Sequence, residues 1–375
     1  MTIGLVLMRW DPKVSTDIIS KYPEELIISE ETLMQIYAAH EYTSEPGMIS
    51  LMVGHLNIAS YFTGGEKPLY IILILDLDDD PDAYEGGLAD VSRIILQNYE
   101  NQAYIDMVPY LFQRLSAYPH LNPEQALALT YEDEINRLLI NRLREEGVVS
   151  KSELKVWMKE KYYRGFFDID GILIELIKKE IIKEVSVKGM PSELIFLIND
   201  IFIIRRPPLT LLRESVERGL PESLIEDYRF RVKNYFQNYR PSEEDNLQII
   251  TLLTDPQLYE ILKLLRTSIV SRNSLEKLKK RGVDDIDSGI RKLLNNGIVS
   301  IFQTGEGIDL YALISDVDIS LVYPRYILNT ILHQYDVKSK ANGVLIEYLN
   351  VLEDTYRPFK SKEKLKEKSK AKAKE

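Results

Sequence analysis

Five aspartates, Asp76, Asp78, Asp79, Asp80 and Asp82, crowd into one short stretch, and carboxylates at that density can hold calcium through oxygen ligands. An EF-hand loop starting at Asp76 needs glycine sixth and glutamate twelfth. Pro81 and Gly87 stand there, so the run reads as a solvated strand end with Asp82 capping a helix. The histidines, His40, His55, His120 and His333, are scattered, and there is no cysteine. Disulfides, thiolate zinc sites and a cysteine nucleophile are thereby excluded. No HExxH, GxSxG, GxxxxGK[ST] or GxGxxG pattern is present, so no metal, cofactor or catalytic residue is expected. A second group has other chemistry. Arg272, Lys277, Lys280, Arg291, Lys292 and Asn295 lie close in sequence, with Lys279 and Arg281 among them. Such cations neutralise phosphates, and arginine or asparagine can read base edges. They equally make a solvated basic face, the use that the acidic whole favours. Tyr228, Tyr235 and Tyr239 alternate with Arg229, Arg231, Lys233 and Arg240. Stacking on nucleic acid is one use of that pattern; packing along a helix face is the expected one.

The charge is uneven. The 375 residues carry a formal net charge of −11, yet residues 1–120 hold 6 Lys and Arg against 18 Asp and Glu. Residues 358–375 hold 8 Lys against 3 Glu, with a lysine at every even position from Lys360 to Lys374. An acidic head repels nucleic acid and anionic lipid, and only the low-complexity tail attracts them. No apolar run reaches the roughly 18–20 residues of a membrane span. The start, Met1-Thr2-Ile3-Gly4, lacks the pattern of a signal peptide, so a cytoplasmic location is expected. The Ile-, Lys- and Glu-rich usage resembles archaeal chains.

In residues 1–120 the elements alternate. Thr2 to Trp10 and Asp17 to Tyr22 read as strands around the break at Asp11-Pro12-Lys13. Ser29, Glu30 and Glu31 open a helix with Leu33, Ile36, Tyr37 and His40 on one face, ended by Pro46-Gly47. Met48 to Val53, Leu56 to Phe62 and Leu69 to Leu77 read as a three-strand meander. A helix with Leu88, Val91, Ile95 and Tyr99 follows, and more helix to about Leu115, kinked at Pro109. The order is β-β-α-β-β-β-α, that of longin domains. The run from Trp10-Asp11-Pro12 to Tyr22-Pro23-Glu24 resembles the opening of the longin domain in nitrogen permease regulator 2-like proteins. The resemblance covers roughly the first 100 residues, and those relatives also place winged helices after the longin domain. It implies a sheet that binds small GTPases or other trafficking partners. It does not imply GTPase activation. The family's activator uses an arginine before the strand matching Leu69 to Leu77, and this chain has Gly64-Gly65-Glu66-Lys67-Pro68 there. Lysine lacks the planar fork that steadies a transferring phosphoryl group.

The rest contains one pattern twice. Ile135, Leu138, Leu139 and Leu143 share a helix face stopped by Gly147. Val148-Val149 is a short strand, and Ser150 with Glu153 forms a capping box for a helix with Leu154, Trp157 and Met158. Arg164-Gly165 turns the chain. Asp168 caps a third helix, and Ile181 to Val187 and Leu194 to Ile204 flank a Lys188-Gly189 tip. The second copy runs from Leu258, Ile261, Leu262 and Leu265 through Ile269-Val270. Ser271 and Asp285 cap its later helices, and Ile298 to Gln303 and Ile308 to Ile314 flank Gly305-Glu306-Gly307. Asp168-Ile169-Asp170 and Asp285-Ile286-Asp287 are equivalent. Helix, short strand, helix, helix and hairpin make a winged helix-turn-helix, and the second copy resembles the ArsR type.

The expected fold is therefore α+β: a longin-like α/β sandwich at 1–120, winged helices at 131–206 and 251–316 with a helical linker at 207–250, helices at 317–357, and a disordered tail at 358–375. The expected function is that of a non-enzymatic adaptor. Its longin domain would bind a small GTPase or a longin- or roadblock-like domain. Its winged helices would hold protein partners, as in endosomal-sorting and GATOR-like assemblies. Aspartates at the starts of both third helices disfavour DNA. The alternative is a transcription regulator with an N-terminal sensor domain, touching DNA through Arg272, Lys277, Lys280, Arg291, Lys292 and Asn295.

Overall fold

The computed structural model describes residues 2–11, 15–43, 46–64, 67–161 and 169–356. The expected features at Pro12-Lys13, Gly65-Glu66, Arg164-Gly165 and Asp168, and the lysine tail, lie outside the described residues. The architecture is α+β, in two compact units, residues 1–122 and 123–375. No helix among the described residues is long and apolar enough to cross a membrane.

The first unit is a five-stranded antiparallel sheet in the order β2-β1-β5-β4-β3. Its strands are β1 (Thr2–Asp11), β2 (Ser15–Tyr22), β3 (Gly47–Val53), β4 (Leu56–Phe62) and β5 (Tyr70–Leu75). β5 reads YIILIL and is buried at every position, as a central strand covered on both faces must be. Successive side chains point to opposite faces. Leu69, Ile71, Leu73 and Leu75 join Leu5 and Leu7 in one core, under Leu88, Val91 and Ile95 of α2 (Glu85–Gln97) and Leu111 and Leu115 of α3 (Val108–Ala117). Tyr70, Ile72 and Ile74 join Val6 and Met8 on the other face, under Leu33 and Ile36 of α1 (Glu30–Thr43). Each such side chain, fully buried, contributes roughly 1.5–3 kcal/mol. Ser29 Oγ caps α1 by accepting from Thr32 N at 3.1 Å, and Trp10 stacks on Tyr37 with ring centroids 3.8 Å apart.

Three expectations for this unit need correction. β5 ends at Leu75, because the Asn57 side-chain amide donates to the carbonyls of Asp76 (3.0 Å) and Asp79 (2.8 Å) and folds the acidic run into a turn. Asp80, not Asp82, is the cap: its carboxylate accepts from Asp82 N over a short 3-10 turn, and α2 begins only at Glu85 and ends before Tyr99. Pro109 kinks nothing, since it sits in the first turn of α3, where its missing N–H is not needed.

The second unit carries the repeat. Its first copy is α5 (Glu134–Glu146), β6 (Val148–Ser150), α6 (Lys151–Lys161), α7 (Ile169–Lys178), β7 (Ile182–Val185) and β8 (Leu194–Leu197). Its second is α11 (Pro256–Thr267), β10 (Val270–Ser271), α12 (Arg272–Glu276) with a 3-10 turn over Lys277–Arg281, α13 (Ile286–Asn295), β11 (Val299–Gln303) and β12 (Asp309–Leu313). The copies agree in detail. Asp133 and Asp255 cap α5 and α11 alike. Glu180 (φ 56°) and Gly297 (φ 63°) make the same left-handed turn into the hairpin. One difference lies at the second helix: Ser150 Oγ accepts from Glu153 N, whereas Ser271 makes no capping bond.

The span Leu194 to Ile204 is two strands. Ile198 N and Asn199 N both donate to Ile181 O, at 2.9 and 3.1 Å, and bend the chain out of the hairpin into β9 (Asp200–Arg206). Ile314 N and Ser315 N do the same to Ile298 O, at 2.9 and 3.3 Å, and launch β13 (Asp316–Val322). That strand falls where only C-terminal helices were expected. β9 and β13 pair antiparallel, with Ile203 opposite Ile319, the third residue after Asp200 facing the third after Asp316. The two copies therefore meet in a local two-fold relation. α4 (Pro123–Glu132) and α10 (Glu243–Thr254), which precede the copies, also meet: Thr254 Oγ1 donates to Glu132 Oε1 at 3.0 Å and Gln125 Nε2 to Leu253 O at 3.3 Å.

The helices that follow each copy are exchanged. α8 (Leu209–Arg213) and α9 (Ile225–Asn238) follow the first, and Tyr228 of α9 donates to Leu313 O of the second at 2.8 Å. α14 (Tyr326–Asp336) and α15 (Asn342–Tyr356) follow the second, and Tyr348 donates to Leu197 O of the first at 2.7 Å. One continuous core runs through both copies and these helices.

Arginine forks hold the crossing strands. Arg144 Nε donates to Asp200 Oδ1 (2.8 Å) and Nη2 to Ile201 O (3.0 Å). Arg266 Nε donates to Asp316 Oδ1 (2.7 Å) and Nη2 to Val317 O (2.7 Å), and it also grips Glu124 on α4. Arg266→Ala leaves the largely buried Glu124 without its cation and Asp316 with only the exposed Arg206, 3.4 Å away, and should cost about 3 kcal/mol, with Arg266→Lys restoring only part. Urea unfolding followed by circular dichroism measures this, and an unchanged midpoint would refute the role given to the fork.

His40 makes the first unit acid-sensitive. It is buried beneath Phe62 and Tyr70, with Nε2 3.0 Å from Ser60 Oγ, and burial pushes its pKa down to about 4. A folded pKa below the unfolded value of about 6.5 means the unfolded chain binds the extra proton first. This stability is complete above about pH 6.5 and is lost as pH falls toward 4, by on the order of 3 kcal/mol. In a Trp157→Phe background, Trp10 fluorescence should report a steeper acid loss for the wild type than for His40→Gln between those limits.

Candidate functional site

The basic group of the second copy divides in two. Arg272 is engaged at the surface: Nη2 bonds Asp287 Oδ2 and Glu276 Oε1, each at 2.8 Å, and so ties α12 to α13. That bond holds the Asp287 carboxyl below its usual range. The first copy repeats the tie, with Lys151 2.9 Å from Asp170 and 2.8 Å from Glu184. The hydrogen bond from Lys155, then that from Lys151, lowers the Asp170 pKa. Lys277, Lys280, Arg291, Lys292 and Asn295 are exposed. Lys292 lies 3.6 Å from Asp255, and Arg291 Nε donates to Asp287 O at 3.3 Å. Lys277 and Lys280 form no ion pair among the described residues. Lys279 is paired with Glu276 at 2.6 Å.

The acidic starts of the third helices are also occupied. Asp285 accepts from Ser288 N at 2.9 Å as the cap of α13, and Asp287 is neutralised by Arg272. The charge of Asp287 is balanced within the fold and repels phosphate less than its sequence position implies. The β11–β12 turn adds repulsion: Glu306 and Asp309 stand exposed there and form no ion pair among the described residues. The tyrosine run is a packing face. Tyr228 is buried, Tyr235 stacks on Tyr239 at 5.7 Å, and Tyr239 donates to Asp245 at 2.6 Å.

The first copy presents a different surface. Ile174 on α7 and Val156 on α6 are 52% and 57% exposed. Neither stood out in the sequence, because α7 (IDGILIELIK) is apolar almost all round and periodicity cannot say which apolar residue is left outside.

In the first unit the sheet has two edges of different character. β2, STDIISKY, carries Asp17 and Lys21, and Asp17 is paired with Arg9 at 2.9 Å. β3, GMISLMV, has no charge and no proline, and its Met52 is 60% exposed. Charges and prolines are what blunt a free edge, so β3 is the receptive one. Lys67 pairs with Glu100 at 2.6 Å and lies 4.9 Å from the Tyr99 ring centroid. The acidic run serves its own turn: Asp76 Oδ1 accepts from Leu77 N, and Asp82 Oδ1 from Ser50 Oγ at 2.8 Å. No protein family, curated protein or solved structure matches the chain.

With an acidic β11–β12 turn and Arg272 engaged, duplex DNA should bind weakly and without sequence preference. Removing residues 360–375, which carry all eight of the tail's lysines, should erase most of it, since each neutralised phosphate steepens the salt dependence. Arg291→Ala with Lys292→Ala should then change little. Fluorescence anisotropy at near-physiological salt tests this; tight, sequence-selective binding by the tail-less protein that those two changes abolish would reverse the assignment.

Proposed function

We propose that the chain is a non-enzymatic adaptor. Its first unit is of longin type and docks a small GTPase or a second longin- or roadblock-like domain, and its two winged helices hold protein partners. The observation that carries this reading is the bare, uncharged edge of β3, where a partner strand can extend the sheet through main-chain hydrogen bonds while alternate side chains set specificity. The sheet order β2-β1-β5-β4-β3, with one helix on one face and two on the other, supports the longin assignment. The exposed Ile174 and Val156 support protein rather than DNA at the first winged helix. The absence of a catalytic motif from the sequence is the ground for reading it as no enzyme. The second reading, a DNA-binding regulator, draws on the exposed Lys277, Lys280, Arg291 and Lys292 of the second winged helix.

Affinity purification from the native cell supplies the partner, and Met52→Lys then tests the edge. A lysine there blocks strand addition without touching either core. With purified partner, the affinity should fall about ten-fold or more while the thermal melt stays in place. An unchanged affinity would remove β3 as the docking edge.

A further inference from the structure

The two copies share a frame but differ at one place beside the first helix. Arg144 and Arg266 align α5 with α11, and Ser150 and Ser271, which pair with Leu194 and Leu310, align the short strands. In that frame Arg142, Glu146 and Glu153 of the first copy correspond to Leu264, Ser268 and Ser274 of the second. In the first copy the place is filled. The Arg142 guanidinium lies 4.6 Å from the Trp157 ring centroid and is held by Glu146 at 2.9 Å and by Glu153. In the second copy these groups are absent, and an open cleft of about 270 Å³ lies there. Leu264, Val270 and Leu278 give it apolar walls, Ser268 and Ser274 add hydroxyls, and Lys277 and Arg281 bring two cations. The charge has changed: in the first copy Arg142, with Lys340 3.2 Å from Glu146, balances the two glutamates, whereas the cleft of the second copy has two cations and no carboxylate among the lining residues.

We propose that this cleft binds a small organic carboxylate with an apolar body. The cations would take the carboxylate, arginine and lysine being suited to charge-assisted bonds with it, and the leucines and Val270 would take the hydrocarbon. An open cleft of about 270 Å³ suits a small ligand rather than a bulky one. The site stands apart from the adaptor reading and from the β3 edge, and either can fail without the other. Its role there would be that of a ligand-responsive element in the second winged helix, where α12 and the turn over Lys277–Arg281 contribute directly to the wall.

Heptanoate is the probe, with heptan-1-ol as its uncharged counterpart, titrated into the full chain by ligand-observed NMR and calorimetry. Saturable heptanoate binding with a Kd at or below about 1 mM is expected, with heptan-1-ol at least about ten-fold weaker. Lys277→Ala with Arg281→Ala, both at the surface, should weaken it about ten-fold or more. Leu264→Arg with Ser274→Glu, which restores groups of the first copy's plug, should abolish it, and circular dichroism checks that each variant is folded. Three results would overturn the proposal: no saturation up to about 20 mM, affinity unchanged in the alanine pair, or inorganic phosphate competing as well as heptanoate, which would mean that the apolar wall plays no part.

Discussion

The second unit depends on one repeated contact. An arginine near the end of each copy's first helix forks onto the aspartate and the next carbonyl at the start of the strand leaving that copy's hairpin. Arg144 does this to Asp200 and Ile201, and Arg266 to Asp316 and Val317. The fork fixes where β9 and β13 leave their hairpins. Because both leave at the same place, they can pair with Ile203 opposite Ile319. The planar guanidinium suits this task, since it satisfies a carboxylate and a carbonyl in one geometry that lysine cannot match. Tyr228 and Tyr348 then close the arrangement from opposite sides, each on the last hairpin carbonyl of the copy it did not follow. Neither copy's core is complete without helices from the other half of the unit, which makes 123–356 one cooperative body rather than two beads on a string.

A duplicated frame frees its surfaces to diverge. Packing density punishes change at interior positions, while solvent positions are held by nothing comparable. Val156 and Ile174 are exposed on one copy; Lys277, Arg291 and Lys292 are exposed on the other. The plug of Arg142 and Trp157 fills one copy, and its counterpart is a cleft. The first unit shows the same economy. His40, Ser60 and the paired rings of Phe62 and Tyr70 serve the core, while the uncharged β3 edge is left for use.

The amino-acid sequence by itself determined the elements whose periodicity is strong and whose ends carry their own chemistry. The unbroken apolar run of β5, the helix face of Leu33, Ile36 and His40, and the cap Asp285 are local properties, readable from residue types alone. So was the repeat, because its signatures recur at matching spacing. The tertiary structure decided what depends on a distant partner. Asn57, far from the acidic run in sequence, ends β5 by taking two of its carbonyls. β13 pairs with β9; the alternation of Val317, Ile319 and Leu321 with polar residues marks a strand, but its partner lies more than a hundred residues away and only the fold names it. Arg272 resembles its basic neighbours in sequence, and only Asp287 and Glu276 show that its charge is already used. A carboxylate or guanidinium in a sequence is a sign and a reach; which group neutralises it is set by the fold, and that decides whether any charge is left for a partner.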